Sequence, residues 1–330
     1  MKQVTYQQQK FSIEGCISVE ETEDWVRPWR IDYRYLDLYP GLEEIADESA
    51  GVRLVFQTSS IDLLLELVEP DKDMKVVLFV DGLFIQEVRP QNDRIIFNPL
   101  PPGNKKIILW LDQRFPFQLK SVMIDDNAEI SPAKINQQRW IHYGSSISQS
   151  NDARSPANTW TALVAQQMNL HLTNLAFRGE CKLDPMIARL IRDLPADYIT
   201  LKLGINIYEG DLSSRTFAAN VIGMIQIIRE KHPQTPLTVI SPIFSCQREM
   251  KNGGCGLNIQ EIRYILEDTV AFCQKYGDKH LSYVDGLNLF GPAEEFYLPD
   301  GLHPDSEGQF IIAKGFLKEV FKKSNEFKNL

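Results

Sequence analysis

The stretch Arg139-Trp140-Ile141-His142-Tyr143-Gly144-Ser145-Ser146-Ile147-Ser148 decides how this 330-residue chain is read. Its first five residues predict a short strand. Its last five, a glycine with three serines around one isoleucine, have the composition of a tight turn. Downstream the pattern alternates. Asn158–Met168 has helical spacing, Leu172–Leu175 strand character, and Asp184–Arg192 helical spacing again. Tyr198–Leu203 predicts a buried strand, and Phe217–Lys231 a long amphipathic helix that stops before Pro233. Leu237–Ser241 and Leu281–Val284 predict strands on either side of a helix over Ile259–Tyr276, and Phe310–Lys322 predicts a closing helix. Strands alternating with helices give an α/β fold, a parallel sheet covered on both faces. Ligands of such sheets bind beyond the carboxyl ends of the strands. Polar residues directly after a predicted strand therefore carry the functional information.

Upstream the character differs. Val52–Thr58, Ile61–Glu69, Lys75–Val80, Leu83–Val88, Arg94–Phe97, Lys105–Leu111 and Gln118–Ile124 all predict strands, with almost no helical period. Asp81-Gly82 between two of them is a strong hairpin signal. Pro101-Pro102-Gly103-Asn104 is another turn. Many short strands of this kind predict a β-sandwich of jelly-roll type. The polar stretch Asn127–Gln138, with Ser131-Pro132, reads as a linker. The expected organisation is a β-sandwich domain over residues 1–135 and an α/β domain over residues 136–330.

Composition bounds the function. With 43% hydrophobic and 24% charged residues, the chain is neither disordered nor collagen-like. The net charge of −9 offers no basic surplus for phosphate contacts, so no nucleic-acid partner is expected. Most of that charge lies in residues 1–135, which carry 15 basic against 23 acidic side chains. Cys16, Cys181, Cys246, Cys255 and Cys273 are odd in number and show no C-x-x-C spacing. Reduced thiols in a reducing compartment are expected rather than a zinc site. The opening MKQVTYQQQK lacks an apolar signal region, and no run approaches 18 apolar residues. A cytoplasmic protein without a membrane span is the expectation. No Lys-Ser/Thr follows Gly253-Gly254-Cys255-Gly256, and no Gly-x-Gly-x-x-Gly opens a helix, so no nucleotide cofactor is expected. Gly-x-Ser-x-Gly is absent too, which argues against an α/β-hydrolase elbow.

Three places in the second half carry candidate chemistry. The serine-rich turn after Tyr143 is placed to hold a nucleophile, although Gly-Ser-Ser is also ordinary loop sequence. Leu203-Gly204-Ile205-Asn206 follows another strand. There Asn206 is able either to donate its amide to a developing oxyanion or to bond its own backbone. Asp300-Gly301-Leu302-His303-Pro304 precedes the last helix. Its spacing lets Asp300 receive the imidazole Nδ1–H, leaving Nε2 to take a proton from a serine. The alternative is a surface turn capped by Asp300. Together the three supply a nucleophile, a base with its carboxylate, and an oxyanion donor.

In that order and spacing they resemble the SGNH hydrolases, also called GDSL-type esterases or lipases, over most of residues 139–310. The family's Gly-Asp-Ser-Ile/Leu-Thr/Ser block is similar to Gly144-Ser145-Ser146-Ile147-Ser148 and implies Ser146 as nucleophile. Its second block is similar to Asn174-Leu175-Ala176-Phe177-Arg178-Gly179 and implies Gly179 as a backbone oxyanion donor. Gly204-Ile205-Asn206 implies Asn206 as the side-chain donor, and Asp300 and His303 complete the triad. The fold implied is a three-layer α/β/α, flavodoxin-like catalytic domain, preceded here by a sandwich similar to a carbohydrate-binding module. Ser145 stands where the family has Asp, which leaves Ser145 and Ser148 as flanking alternatives. Ile207 follows Asn206 where Asp is common, and Arg178 and Glu180 bracket Gly179. These two charges either shape the pocket or form a surface ion pair. Trp25, Trp29 and Trp110 either stack on a sugar or fill a core or an interface.

The resemblance implies hydrolysis of a short acyl or acetyl ester of a small molecule or sugar, by a Ser146–His303–Asp300 triad and a Ser146/Gly179/Asn206 oxyanion hole, without metal or cofactor. The alternatives are an acyltransferase using the same triad and a non-catalytic glycan-binding protein.

Overall fold

The buried run at Trp140–Gly144 lies inside a five-stranded sheet. A computed structural model describes residues 1–134 and 136–322. The first half holds β1 Lys2–Val4, β2 Ser12–Glu14, β3 Ser18–Glu21, β4 Val26–Trp29, β5 Arg53–Thr58 and β6 Leu63–Leu67. It continues with β7 Val76–Val80, β8 Leu83–Val88, β9 Arg94–Phe97, β10 Lys105–Leu111, β11 Leu119–Ile124 and β12 Ile130–Ser131. One antiparallel sheet has the order β3-β4-β11-β6-β9 with β1 beside β11; the other has β12-β5-β10-β7-β8 with β2 beside β5. Alternating inward residues such as Leu63, Leu65, Ile107 and Leu109 fill the space between them. The seven expected strands are all present, and the Asp81-Gly82 hairpin joins β7 to β8 with both turn residues at positive φ. β1 to β4 were not expected. They are three or four residues long and carry Pro28, Ser and Glu, too little for a periodic signal. The expected linker begins inside the sheet, because Ile130 and Ser131 pair with Thr58 and Gln57.

The second half follows with β13 Gln138–Gly144, α1 Ser146–Gln149, α2 Trp160–Met168, β14 Leu170–Ala176, α3 Pro185–Asp193 and β15 Tyr198–Lys202. Then come α4 Ser214–Arg229, β16 Leu237–Ile240, α5 Ile259–Lys275, β17 Leu281–Val284 and α6 Ser306–Glu319. All neighbours in the order β14-β13-β15-β16-β17 are parallel. α2 and α6 pack together on one face and α3, α4 and α5 on the other, as expected if the crossovers are right-handed: α2 touches α6, and α4 touches both α3 and α5. The chain leaves β13 for β14 on one side and then passes to β15 on the other. The carboxyl end of β13 is therefore the switch point, where α/β sheets bind ligands. Two helices start earlier than their apolar period indicated. Asp305 caps α6 by accepting the Gly308 N–H at 2.9 Å, so the helix begins at Ser306 rather than Phe310. α4 likewise begins at Ser214.

The two halves share apolar packing. Trp29, Ile31, Leu42 and Ile45, with Val77, Phe79 and Trp110 of the sandwich, belong to the same buried cluster as the core of the second half. β7 is buried on both faces because one of them looks at that half. Trp29 and Trp110 are buried in this cluster, and Trp25 is half-buried with the Arg27 guanidinium 5.1 Å from its ring centre. No helix among the described residues is long and apolar enough to cross a membrane.

Candidate active site

The site is assembled from three loops beyond the carboxyl ends of β13, β14 and β15 and from the segment before α6. At the end of β13 the chain turns at Gly144. A side chain there would put Cβ 2.6 Å from Ser148 Oγ and 2.9 Å from His142 Nε2, so only glycine fits. The turn opens α1, whose first residue is Ser146. Ser145 and Ser148 are fully buried, and their hydroxyls have no hydrogen-bond partner among the described residues. Ser146 is half-buried, and its Oγ lies 2.9 Å from His303 Nε2. Of the three neighbouring serines, Ser146 is the one that meets the histidine.

The Asp300–His303 turn is held by its own carboxylate. Asp300 Oδ1 accepts the backbone N–H groups of Leu302 (2.9 Å) and His303 (2.7 Å), and Oδ2 lies 2.6 Å from His303 Nδ1. Burial opposes the charge on Asp300, but the bonds from His303 and Leu302 outweigh it and hold the carboxyl down at about 2. Asp300 is thus ionised at neutral pH. It accepts the Nδ1–H and leaves the Nε2 lone pair directed at the Ser146 hydroxyl.

Gly204 carries the chain out of β15 at φ +105°, and a Cβ there would lie 2.6 Å from Ile262 Cγ2. This sharp exit places Asn206 in a short 3-10 turn, Ile205–Ile207. Asn206 Oδ1 accepts the Cys181 N–H at 3.1 Å, which fixes the amide and leaves its NH₂ at the opposite end. Gly179, at φ +75°, follows β14. Its loop is tied to the serine turn by the Phe177 N–H, which donates to Gly144 O at 2.9 Å.

Ser146, Gly179, Asn206 and His303 line one cavity of about 400 Å³, whose walls include Arg178, Arg248, Asp152 and Glu209. The last two are lone acids in loops, and no spacing pattern marked them. A larger cavity of about 600 Å³ lies between the β7-β8-β10 face and helices α2 and α6; none of the five candidate residues lines it. Arg178 does form an ion pair, but with buried Glu48 of the first half, at 3.0 Å. Glu180 pairs with Lys182 at 2.9 Å. His142 stands below the turn, its Nδ1 2.8 Å from Thr200 Oγ1. Burial and the nearby Lys202 push it down to about 3, so it is neutral. No cluster of three or more His, Cys, Asp or Glu side chains among the described residues is arranged to hold a metal ion.

A parallel sheet with helices on both faces, a Ser–His–Asp chain at its carboxyl edge and an antiparallel sandwich ahead of it define an SGNH-type hydrolase architecture. Residues 137–320 match the GDSL-like lipase/acylhydrolase family, and the chain belongs to that family. The solved salicylyl-acyltransferase of a tetracycline biosynthetic pathway is similar at 31% identity, with 97% of each chain covered and a TM-score of 0.90. A protein from Bacteroides ovatus described as a GDSL-like lipase is 19% identical, with 99% of each chain covered and a TM-score of 0.77. A family-two carbohydrate esterase from Clostridium thermocellum, solved with cellohexaose, shares the fold at 13% identity and a TM-score of 0.68, covering 94% of this chain and 99% of its own. Comparison with curated proteins finds no match.

Proposed function

We propose that the chain is a serine esterase that hydrolyses a short acyl or acetyl ester of a small molecule or sugar. The observation that carries this is the continuous chain from Ser146 Oγ through His303 to Asp300, at 2.9 and 2.6 Å, opening on the 400 Å³ cavity. Ser146 attacks the acyl carbon as His303 Nε2 takes its proton. Ionised Asp300 holds the imidazole tautomer and stabilises the imidazolium. The backbone N–H groups of Ser146 and Gly179 and the Asn206 NH₂ stabilise the oxyanion. His303 returns its proton to the leaving alcohol, and water then releases the acyl group by the same route. The catalytic domain in this reading is residues 136–330, and residues 1–135 form the domain similar to a carbohydrate-binding module.

A second reading keeps the triad and replaces water by another alcohol. It is favoured by the end-to-end similarity to the salicylyl-acyltransferase. Both readings are tested with p-nitrophenyl acetate, butyrate and octanoate, with and without added alcohols. Turnover lost in Ser146→Ala and His303→Ala but kept in Ser145→Ala supports the triad. Acyl-alcohol product outrunning free acid at millimolar acceptor turns the conclusion to transfer. Turnover that survives Ser146→Ala rules out this nucleophile.

A further inference from the structure

The loop that carries Gly179 is held by a residue of the other half of the molecule. Glu48 lies in the segment between β4 and β5, is 5% exposed, and forms an isolated β-bridge with Pro116. Its Oε1 accepts from Arg178 Nε at 3.1 Å and from Arg178 Nη2 at 3.0 Å. Its Oε2 accepts from the side-chain amide of Gln149, the last residue of α1. Gln149 is fully buried, and its Oε1 accepts the backbone N–H of Arg178 at 2.9 Å. These bonds close a ring. It runs from Glu48 to Gln149, to the main chain of Arg178, out along the Arg178 side chain and back to Glu48. Two stretches of the site are thereby locked to each other: the short helix that begins with Ser146, and the Phe177-Arg178 peptide directly before Gly179.

The ring is itself anchored. The carbonyl of Glu48 accepts from Arg30 Nε at 2.6 Å. The same guanidinium donates to Ile45 O at 2.8 Å and to Ala176 O at the end of β14, and lies 4.5 Å from the centre of the Phe177 ring. The loop before Gly179 is therefore gripped on its backbone, on its aromatic side chain and on its charged side chain. A carboxylate that accepts two guanidinium N–H groups and one amide N–H has a fixed orientation, since each bond is directional and two are charge-assisted. Such a grip matters for an oxyanion donor because its value depends on being aimed before the reaction begins.

We infer that Glu48 is a positioning residue for the oxyanion pocket, acting through Gln149 and Arg178 on the loop that carries Gly179. It touches no reacting atom. The inference rests on the esterase reading. Its consequence is that one side chain of the sandwich half sets the catalytic rate constant of a site built in the other half.

The test compares Glu48→Gln and Arg178→Gln with wild type and Ser146→Ala. Glu48→Gln keeps the volume but turns an acceptor into an amide whose NH₂ faces the donors of Gln149 and Arg178. Arg178→Gln breaks the same ring at a side chain that is 47% exposed, where the fold has little at stake. Two readouts are taken on full-length protein: kcat and KM with p-nitrophenyl acetate, and the rate at which a fluorophosphonate labels Ser146. The second also depends on the oxyanion pocket. The expected result is a fall of about 10- to 100-fold in kcat and in labelling rate for both variants, less than outright removal of a donor. KM should stay within about threefold. The double variant should be no slower than the slower single one, because both break one ring. Values within twofold of wild type in a folded variant would overturn the inference, as would a loss confined to KM. Should Glu48→Gln fail to fold, Arg178→Gln decides alone. Labelling that is absent in wild type, or that persists in Ser146→Ala, sinks the esterase reading and this inference with it. Labelling that Ser146→Ala abolishes but neither ring variant slows sinks only the role of Glu48.

Discussion

Two residues behind the site carry predictions of different kinds. In the proposed mechanism Asp300 is part of the relay, and its expected effect is on rate. Asp300→Asn keeps the shape of the turn, but its amide no longer presents a charged acceptor to Nδ1, and the imidazolium loses its counter-charge. A fall in kcat of about 10²- to 10⁴-fold is expected in steady-state ester hydrolysis, with the protein folded. Lys202, at the end of β15, is part of the fold, and its effect is on stability. Its side chain is buried, and its Nζ has no hydrogen-bond partner among the described residues. Burial pushes it down to about 8 from 10.5. The unfolded chain therefore binds this proton more tightly than the folded one. The gap corresponds to about 3 kcal/mol, a penalty present in full below pH 8 and lifted as pH rises toward 10.5. Lys202→Met should stabilise the protein at pH 7 by about 1–3 kcal/mol, and the gain should shrink between pH 8 and 10. Denaturant titrations at pH 7 and pH 10 measure both. An equal gain at the two pH values would show that the buried charge is not its source.

At the scale of elements, what matters is how each strand ends. Gly204 leaves β15 with a φ no side chain adopts easily, and Ile262 and Pro242 close the space where a Cβ would go. Gly204→Ala should displace Asn206 and cost about 1–3 kcal/mol of stability, read as a lower thermal midpoint. Asn206→Asp, which keeps an oxygen to accept the Cys181 N–H and removes the donating NH₂, should leave the midpoint almost unchanged and lower kcat by about 10²- to 10³-fold. If the two variants behaved alike, Asn206 would be a fold residue rather than an oxyanion donor. The same ends explain what was legible in the sequence. Parallel strands buried on both faces announce themselves as apolar runs, so the inner strands β13, β15 and β16 were readable, and the edge strands β14 and β17 showed shorter apolar stretches. Gly-x-Asn and Asp-x-x-His were readable because turn and donor lie within four residues. Helix starts were less so. The apolar period of α6 begins at Phe310, whereas its first turn is set by the polar cap Asp305. The short strands β1 to β4 gave no period and found their places only through partners far along the chain.

For the whole molecule the question is whether two halves so unlike in sequence behave as one body. Nothing in the chain's local pattern links Arg30 or Glu48 to residues near 176, because a contact across some 140 positions leaves no spacing to read. Yet Arg30 is fully buried between the halves, donating to carbonyls of Ile45, Glu48, Asn174 and Ala176. Burial pushes its guanidinium down to about 10, with Glu48 and Asp47 acting the other way, so it remains charged at neutral pH. Arg53 does the same nearby: it donates to Leu172 O at 3.0 Å and pairs with Glu14 at 3.0 Å. Both arginines satisfy backbone carbonyls of β14 that no sheet neighbour reaches on its outer edge, since β14 is an edge strand. The sandwich therefore covers an edge as well as an apolar face. Arg30→Met fills the same space without donors and leaves those carbonyls buried and unpaired, at about 1–3 kcal/mol for each that finds no water. Release of the buried charge offsets part of this, and a net loss of about 3–5 kcal/mol is expected. By calorimetry the wild type should unfold in one transition. Arg30→Met should lower it by about 10 °C or split it in two, the α/β half melting first, because it is the one whose edge has been uncovered. Two well-separated transitions already present in wild type, neither moved by Arg30→Met, would mean that the halves touch without stabilising each other.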